Sequence, residues 1–426
     1  MSDAAEPGSW LALPEVAAVR RRTRTTLLVG QVLGSLGIGA APSVGVLLAA
    51  SVAHSDTWAG VARAGSTVGA ALLALPLAAL AARRGRGRAL ALGWWLAAAG
   101  AGLLVLAAVT GSVALLILGM LGMGGGAAAQ LQARFAATDL AEPAHRARSL
   151  ALVVWVGTFG AVLGPNMGVP GEALAARVGL PPLSGAFVLA AALLVVTGTV
   201  VLAGLRPDPL RLAQRHTAAE PGPAAHHRSA GLGAALRLVR AAPTGRFALL
   251  ALVLAHVSMV SVMTMTPVHL SHHGDTVTVI GLAISLHVLG MFALAPVVGA
   301  AADRFGRVPV IVVGQGVLAA AAVVGALGAG STAAVAVALT LLGLGWSVVT
   351  VPASALLSQS VPAPARPLVQ GLGDTAMNAA AALGAIMSGP LMALLGFPAL
   401  AALGGAVVVP VLWLVWRGAH RVPASA

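Results

Sequence analysis

Three ionisable side chains lie deep inside long apolar stretches of the sequence: His256, His287 and Asp374. An ionisable group in an apolar layer is costly, so its presence there points to a function. Imidazole changes protonation near neutral pH, and a carboxyl group shielded from water can take up and release a proton. All three are predicted proton-coupling residues. The alternatives are a neutral histidine bonded to a serine or a backbone carbonyl, and an ion pair between Asp374 and Arg366.

Other polar or polarisable side chains in the apolar stretches have the chemistry of a binding cavity. Amides supply both donors and acceptors, and the thioether of methionine adapts to ligands of varied shape. Methionines at helical spacing also serve for packing alone. The predicted substrate-cavity residues are Gln31, Gln130, Met259, Met263 and Asn378.

Enzymatic and metal chemistry are not supported by the sequence. The chain has no cysteine, which excludes thiolate ligands and nucleophiles. His269, His272, His273 and Asp275 are close in sequence, but they are interpreted as a solvated loop, and no metal site is predicted. No G-x4-G-K-[ST] phosphate-binding loop and no Ser, His and carboxylate set of known spacing occur. The chain is therefore predicted to be neither an enzyme nor an ATP-driven pump, and no cofactor is expected.

Composition places these residues in a lipid bilayer. Of the 426 residues 58% are hydrophobic and 9% are charged, and the mean hydropathy is +0.94. Too few charged residues remain to cover a water-facing surface of this size. The net charge of +13 comes from arginines beside apolar stretches, as in cytoplasmic loops of membrane proteins. A nucleic-acid partner is therefore not expected.

Twelve apolar stretches are long enough to cross the roughly 30 Å hydrocarbon core. They predict an all-α membrane protein of two six-helix halves, with both termini on the cytoplasmic side because arginines cluster there. The expected organisation is a tail over 1–25, a bundle over 26–205, a connector over 206–245, a bundle over 246–417 and a tail over 418–426. Helices 1 to 12 are predicted at 26–53, 58–82, 89–109, 112–137, 149–171, 184–205, 246–270, 278–302, 308–329, 332–357, 367–395 and 397–417.

The most specific motif lies where helix 8 meets helix 9. Gly299, Asp303, Arg304 and Arg307 have the spacing G-x3-D-R-x2-R. This string resembles the signature loop of the major facilitator superfamily, in which the glycine allows helices to touch and the aspartate and arginine hold one conformation closed. The resemblance implies that these four residues form a gate; the alternative is a positively charged turn without a gating role.

The matching loop of the first half, between helices 2 and 3, keeps Gly85 and Arg86 but lacks the first glycine and the aspartate. The gating charge pair is therefore expected to be stronger in the second half. Charges of both signs follow helix 4 and predict a second gating network, unless they form only a solvated loop. These residues are Arg134, Asp139, Arg146 and Arg148.

Helix 5 carries a second motif, formed by Gly160, Gly164, Pro165 and Gly168. It resembles the antiporter motif of the superfamily's twelve-helix drug:proton exporters, although Val169 stands at that motif's final glycine. Glycines on one face, together with a proline, give a helix that can bend and slide against its neighbour. The resemblance implies export in exchange for protons.

Together these features predict a secondary transporter that works by alternating access, with substrate bound between the halves near the midplane. The favoured function is proton-coupled efflux of an amphipathic small molecule or drug, with the proton gradient as energy source. The alternatives are an uptake carrier or facilitator of a small metabolite, and a membrane sensor or assembly partner that moves no substrate. The expected partners are a small-molecule substrate and the lipid bilayer, the chain acting as a monomer. High Arg, Ala and Gly usage favours a bacterial cytoplasmic membrane.

Overall fold

The computed structural model describes residues 9–142, 146–217, 232–362 and 365–418, and nearly all of these residues are helical. A short 3-10 turn, Ser9–Ala12, precedes helix 1. Helix 1 consists of Pro14–Ile38 and Val46–Ala53, separated by a π-helical turn at Ala41–Gly45. The other helices of the first half are helix 2 at Thr57–Arg84, helix 3 at Arg86–Thr110, helix 4 at Val113–Ala136, helix 5 at Arg146–Leu163 and Gly168–Val178, and helix 6 at Ser184–Gly204.

Two short helices, Pro209–Thr217 and Leu232–Ala241, lie in the predicted connector. The second half begins with helix 7, which extends to a histidine-rich loop. Its helices are helix 7 at Pro243–His272, helix 8 at Val277–Phe292 and Ala295–Phe305, helix 9 at Arg307–Leu327, helix 10 at Thr332–Gln359, helices 11 and 12 within Arg366–Ala406, and a final segment of helix 12 at Val409–Gly418.

Within the described residues, ten helical stretches are long and apolar enough to cross a membrane. One of them, Val369–Trp416, has 48 residues, about twice what one crossing needs. It breaks at Gly396, whose backbone is non-helical with φ of 80°, so it provides helices 11 and 12. Helix 5, which consists of two shorter segments, is the twelfth span. The predicted twelve-helix architecture is therefore confirmed.

The helices pack into two compact units. Unit 1 contains residues 9–48 and 65–217, and unit 2 contains residues 49–64, 232–362 and 365–418. The end of helix 1 and the first two turns of helix 2 therefore pack with the second half of the chain. In unit 1, Trp10 stacks on His216 at a ring distance of 5.0 Å, which holds the first connector helix against the start of helix 1.

Small residues allow the closest helix contacts in both units. In unit 1, a Cβ at Gly160 of helix 5 would collide with the Val32 carbonyl oxygen of helix 1. In unit 2, a Cβ at Gly60 of helix 2 would collide with the Ala385 carbonyl oxygen of helix 11. Such backbone-to-backbone contacts supply the packing attraction that replaces the hydrophobic effect in lipid.

Candidate functional site

Helices 1 and 5 are both interrupted at the same place in unit 1, and their interruptions touch. The π-helical turn of helix 1 lies beside the 3-10 turn Gly164–Met167 of helix 5. A Cβ at Gly39 would lie 2.7 Å from the Cα of Gly164, so neither position has room for a side chain. The Ser43 hydroxyl donates a hydrogen bond of 3.3 Å to the Pro165 carbonyl. Gly168 is buried at the start of the second segment.

A polar cluster lies on the same face of helix 1. Gln31 and Ser35 are buried, and the Gln130 amide of helix 4 donates a hydrogen bond to the Ser35 hydroxyl. Gly157 of helix 5 covers the cluster, because a Cβ there would lie 3.3 Å from both side chains of helix 1. Within the part of the chain described, the Gln31 Oε1 atom has no hydrogen-bond partner. The structure thus brings two predicted cavity residues, Gln31 and Gln130, together around Ser35.

In unit 2, His256 of helix 7 meets Trp346 of helix 10. The indole N–H donates a hydrogen bond of 2.9 Å to His256 Nδ1, and Phe292 packs edge-on against the indole ring. Because an indole nitrogen only donates, Nδ1 must accept, and a neutral His256 carries its proton on Nε2. His256, Phe292 and Trp346 are all half-buried. Together they offer an aromatic surface with one N–H donor.

His287 has a different environment. Its ring is fully buried, and Nδ1 lies 2.7 Å from the Leu339 carbonyl of helix 10, to which it donates. The backbone of helix 10 approaches so closely at Gly343 that a Cβ there would collide with the His287 carbonyl oxygen. Among the described residues the other ring nitrogen, Nε2, has no hydrogen-bond partner. This arrangement agrees with the alternative of a neutral histidine bonded to a backbone carbonyl, while a role of His287 in proton coupling stays a prediction.

Arg63 was missed by the sequence analysis as a candidate for this site. It lies two turns inside helix 2, in the portion that packs with unit 2, and its Nε atom is shielded from solvent. Its charge acts on both His256 and His287. Inserting an arginine at the centre of a membrane span costs about 2.5–3.5 kcal/mol. This cost is the sequence signal that could have identified Arg63.

Asp374 is exposed on helix 11, so the burial expected from the sequence is not what the structure shows. The Asn378 amide, also exposed, donates a hydrogen bond of 2.8 Å to the Asp374 backbone carbonyl one turn earlier. The two side chains lie one turn apart on the same face of helix 11, and both are exposed. A carboxylate here keeps access to water or ligand, which a proton carrier needs.

Met259 and Met263 of helix 7 are 3% and 6% exposed, in the packed interior of unit 2. The structure therefore places both predicted cavity methionines between helices, where thioethers fill irregular space. The sequence pattern was ambiguous because the same i, i+4 spacing suits either role.

The first-half loop is held by charges from two other parts of unit 1. Arg86 makes a two-point ion pair with Asp139, at 2.9 and 3.2 Å, and donates a further bond of 3.2 Å to Gln132. Asp208, which follows helix 6, accepts from the Gly87 backbone N–H at 2.9 Å and so caps helix 3. Burial raises the pKa of the Asp139 carboxyl, and the Arg86 guanidinium opposes that rise. The aspartate missing from this loop's motif is thus replaced in space by Asp208.

The gating network predicted after helix 4 also contains Arg134, Arg146 and Arg148. Arg134 is half-buried at the end of helix 4, while the side chains of Arg146 and Arg148 lie outside the described residues. Arg20 forms an ion pair of 2.8 Å with Glu142. It lines a cavity of about 320 Å³ with Arg21, Arg24 and Ser149.

The second-half motif shows no such ion pair. Asp303 is exposed, and among the described residues it forms no salt bridge. Arg304 lies 5.4 Å from the ring centroid of Phe305, and Arg307 donates to the Gln359 side chain. Gly299 has open space around it. The expectation of a stronger charge pair in the second half therefore does not describe this structure, in which the first half carries the pair.

The histidine-rich end of helix 7 is a hydrogen-bonded loop. His269 lies 2.8 Å from the Ala329 carbonyl, His272 pairs with Asp56 at 3.5 Å, and Asp275 accepts from Thr332. Across the described ranges, no three His, Asp or Glu side chains are grouped closely enough to hold a metal ion.

Comparison with known proteins agrees with this architecture. A model of the Major Facilitator Superfamily matches residues 27–276 and 248–426. The MFS-type transporter YdeG of Bacillus subtilis is 35% identical over 416 residues, covering 96% of this chain and 95% of YdeG. The riboflavin transporter RfnT of Brucella anthropi is 29% identical, covering 88% and 90%. The crystal structure of the nucleoside transporter NupG shares the fold with a TM-score of 0.74 and 14% identity, covering 93% of this chain and 99% of NupG.

The family match spans nearly the whole chain, and a relative of full length exceeds 30% identity. Twelve spans, broken helices 1 and 5 and a polar interior in each unit agree with that match. The chain belongs to the Major Facilitator Superfamily and is a multi-pass secondary transporter.

Proposed function

We propose that this transporter exports an amphipathic small molecule across the bacterial cytoplasmic membrane in exchange for protons, with both termini in the cytoplasm. The observation that carries proton exchange is the exposed Asp374 carboxylate inside a membrane span. A carboxylate facing lipid at this depth would cost about 2.5–3.5 kcal/mol, so the side chain requires a hydrated route. A hydrated carboxylate within a span can exchange protons with the aqueous phase.

Among the three proton candidates, the contacts favour Asp374. His287 is enclosed and holds helix 10, so a second proton on its ring would have no water to support it. Protonating His256 at Nδ1 would break its hydrogen bond from Trp346. The side chain of Asp374 is exposed, so it can exchange a proton with water or ligand directly.

The paired breaks in helices 1 and 5 support the export motif. Glycines on the contact face let the backbones touch, and the Ser43 hydroxyl of helix 1 donates a hydrogen bond to the Pro165 carbonyl of helix 5. Two discontinuous helices in contact can change their bend with little loss of packing, as alternating access requires. A small organic cargo is supported by RfnT, a relative named as a riboflavin transporter.

A second candidate is uptake of substrate together with a proton. It is favoured by Arg63, a cationic side chain inside helix 2 in the part that packs with unit 2. If an anion and a proton favoured each other's binding in unit 2, the two would be carried in the same direction.

Everted membrane vesicles from cells that make the protein test the direction. Export predicts that energised everted vesicles accumulate a lipophilic dye or antibiotic, and that collapsing the pH gradient releases it. Vesicles from cells making Gly164→Leu, which blocks the contact with Gly39, should behave like vesicles without the protein. Accumulation only in right-side-out vesicles would establish uptake instead.

A further inference from the structure

The arginine-rich end of unit 1 contains a cavity of about 320 Å³ that the proposed transport mechanism does not use. Its walls come from the start of helix 1, the end of helix 4 with the residues after it, and the first two turns of helix 5. Every lining residue belongs to unit 1, so the cavity lies within one bundle. It opens at the surface, because two of its arginines, Arg21 and Arg24, are exposed.

The lining of this cavity has an excess of positive charge. Arg20, Arg21 and Arg24 contribute three guanidinium groups, whereas Glu142 contributes the single carboxylate. Glu142 pairs with Arg20 at 2.8 Å, so its negative charge is offset within the wall. Across the described ranges, Arg21 and Arg24 form no ion pair. Their two charges therefore favour an anionic ligand.

The cavity lies at the depth of the lipid headgroups. The apolar stretch of helix 1 begins at residue 26, so Arg24 and Arg20 lie about 3 and 9 Å before it along the helix axis. The headgroup layer extends about 5–8 Å beyond the hydrocarbon core on each side of a bilayer. Leu152 and Val153, one turn further into helix 5 than Ser149, give the cavity an apolar side. A cationic opening next to an apolar wall suits a lipid, which joins an acidic headgroup to hydrocarbon.

The size and the polar groups of the cavity suit a phosphate ester better than a bare ion. A water molecule occupies about 30 Å³ in the liquid, so the cavity has room for roughly ten. Thr23 and Ser149, whose side chains carry hydroxyl groups, also line it. The first turn of helix 5, where Ser149 lies, has backbone N–H groups that favour negative charge. Guanidinium groups bind phosphate oxygens through paired hydrogen bonds.

We propose that this cavity binds the phosphodiester headgroup of an anionic membrane phospholipid such as phosphatidylglycerol, with Arg21 and Arg24 holding the phosphate. The bound headgroup joins helix 1 to helix 5 at a place where Arg20 and Glu142 already tie helix 1 to the residues after helix 4. Anionic lipids of the cytoplasmic leaflet are the available source, because basic residues cluster on that side. The inference does not depend on the substrate, direction or coupling of transport.

The test is equilibrium binding of phosphatidylglycerol with a pyrene-labelled acyl chain to the purified full-length protein in detergent, at about 0.15 M salt. Energy transfer from tryptophan to pyrene reports the bound probe. Unlabelled phosphatidylglycerol should displace the probe at least about tenfold more effectively than zwitterionic phosphatidylcholine. Glycerol 3-phosphate, which has the phosphate without acyl chains, should not displace it at the same concentration.

Arg21→Gln combined with Arg24→Gln should weaken binding of the probe at least about tenfold, because each basic residue beside an anionic headgroup contributes a factor of about five. Arg84→Gln combined with Arg88→Gln is the matched control. It removes the same charge from two exposed arginines of unit 1 that do not line the cavity. Because salt screens distant charges, the control should weaken binding by less than about threefold.

Equal displacement of the probe by phosphatidylglycerol and phosphatidylcholine would overturn the headgroup site. Undiminished binding by the Arg21 and Arg24 double variant would also overturn it, as would equal losses in that variant and the control. Displacement by glycerol 3-phosphate as effective as that by phosphatidylglycerol would assign the cavity to a soluble phosphate ester and remove the lipid. Binding in detergent needs no gradient and no flux, so each of these results leaves proton exchange to be decided separately.

Discussion

Arg86, at the start of helix 3, donates hydrogen bonds of 2.9 and 3.2 Å to the two carboxylate oxygens of Asp139. Asp139 lies three positions after the end of helix 4. The two side chains are only 15% and 10% exposed, so water screens the pair weakly. Asp208 lies close enough to add its own negative charge to the environment of Asp139. This compact network holds the loop between helices 2 and 3.

The first prediction concerns the pH dependence of that network. Burial raises the pKa of Asp139, so the ionised carboxylate costs folding free energy at neutral pH, and this cost disappears as the pH falls through the pKa. Arg86→Gln removes the guanidinium that offsets the charge. The variant should lose up to about 3 kcal/mol of unfolding free energy at neutral pH and recover as the pH falls through the Asp139 pKa.

Thermal unfolding of the purified variant from neutral to acid pH measures this. Adding Asp139→Asn to Arg86→Gln should remove the pH dependence, because no carboxyl group remains to titrate at that position. A constant deficit for Arg86→Gln at every pH would show that the ion pair is not the cause.

The second prediction concerns the contact between helices 1 and 5. In Gly160→Ala, the new methyl group meets the Val32 carbonyl oxygen and the Ser35 Cβ, which are backbone or near it and cannot turn away. We expect the free energy of unfolding to fall by about 1–3 kcal/mol and most transport activity to be lost. Gly102→Ala in helix 3, where nothing lies within 4 Å, should be neutral or stabilising, because alanine favours the helix. Equal thermal midpoints for the two variants would contradict the described packing.

The third prediction separates packing from coupling. His287→Ala deletes a buried ring and its hydrogen bond to the Leu339 carbonyl, so the protein should lose about 2–4 kcal/mol of unfolding free energy. The protein that remains folded should still transport with an undiminished response to the pH gradient. Flux that persists in His287→Ala but no longer responds to the pH gradient would show that His287 carries the proton.

The fourth prediction concerns topology and uses the absence of cysteine, since one introduced cysteine is unique. Gly330, between helices 9 and 10, and Gly233, in the second connector helix, are exposed and have open space around them. In intact cells an impermeant thiol reagent should label Gly330→Cys and leave Gly233→Cys unlabelled until the cells are permeabilised. The reverse pattern would place both termini outside.

The architecture could be read from the sequence because its signals are local. Apolar stretches set the spans, and glycine with proline marks breaks such as that at Gly164 and Pro165. The paired charges could not be read, because Arg86, Asp139 and Asp208 come from three separate loops that only the fold brings together. The second-half motif was matched correctly as a string, but the contacts of Asp303 depend on tertiary distances that no motif contains.

The polar residues inside the two units were predicted only in part, because their contacts also depend on the fold. Gln31 and Gln130 were identified by residue type, and the structure adds Ser35 between them. Met259 and Met263 fit both a cavity and a core, and both are buried in this structure, so their role in a substrate cavity stays a prediction. Arg63 was not among the predicted site residues, although the cost of an arginine inside a membrane span could have identified it.

The most direct test of the account is flux by purified protein in proteoliposomes with an imposed pH gradient, comparing the unmodified protein with Asp374→Asn. Naphthylacetate and cationic dyes are the cargo probes, and Thr375→Ala, at the exposed neighbouring position of helix 11, is the matched control. We expect a pH gradient to drive flux by the unmodified protein and the control, while Asp374→Asn still exchanges cargo at equal pH on both sides but ignores the gradient. Gradient-driven flux that survives in Asp374→Asn would contradict proton exchange at this carboxylate.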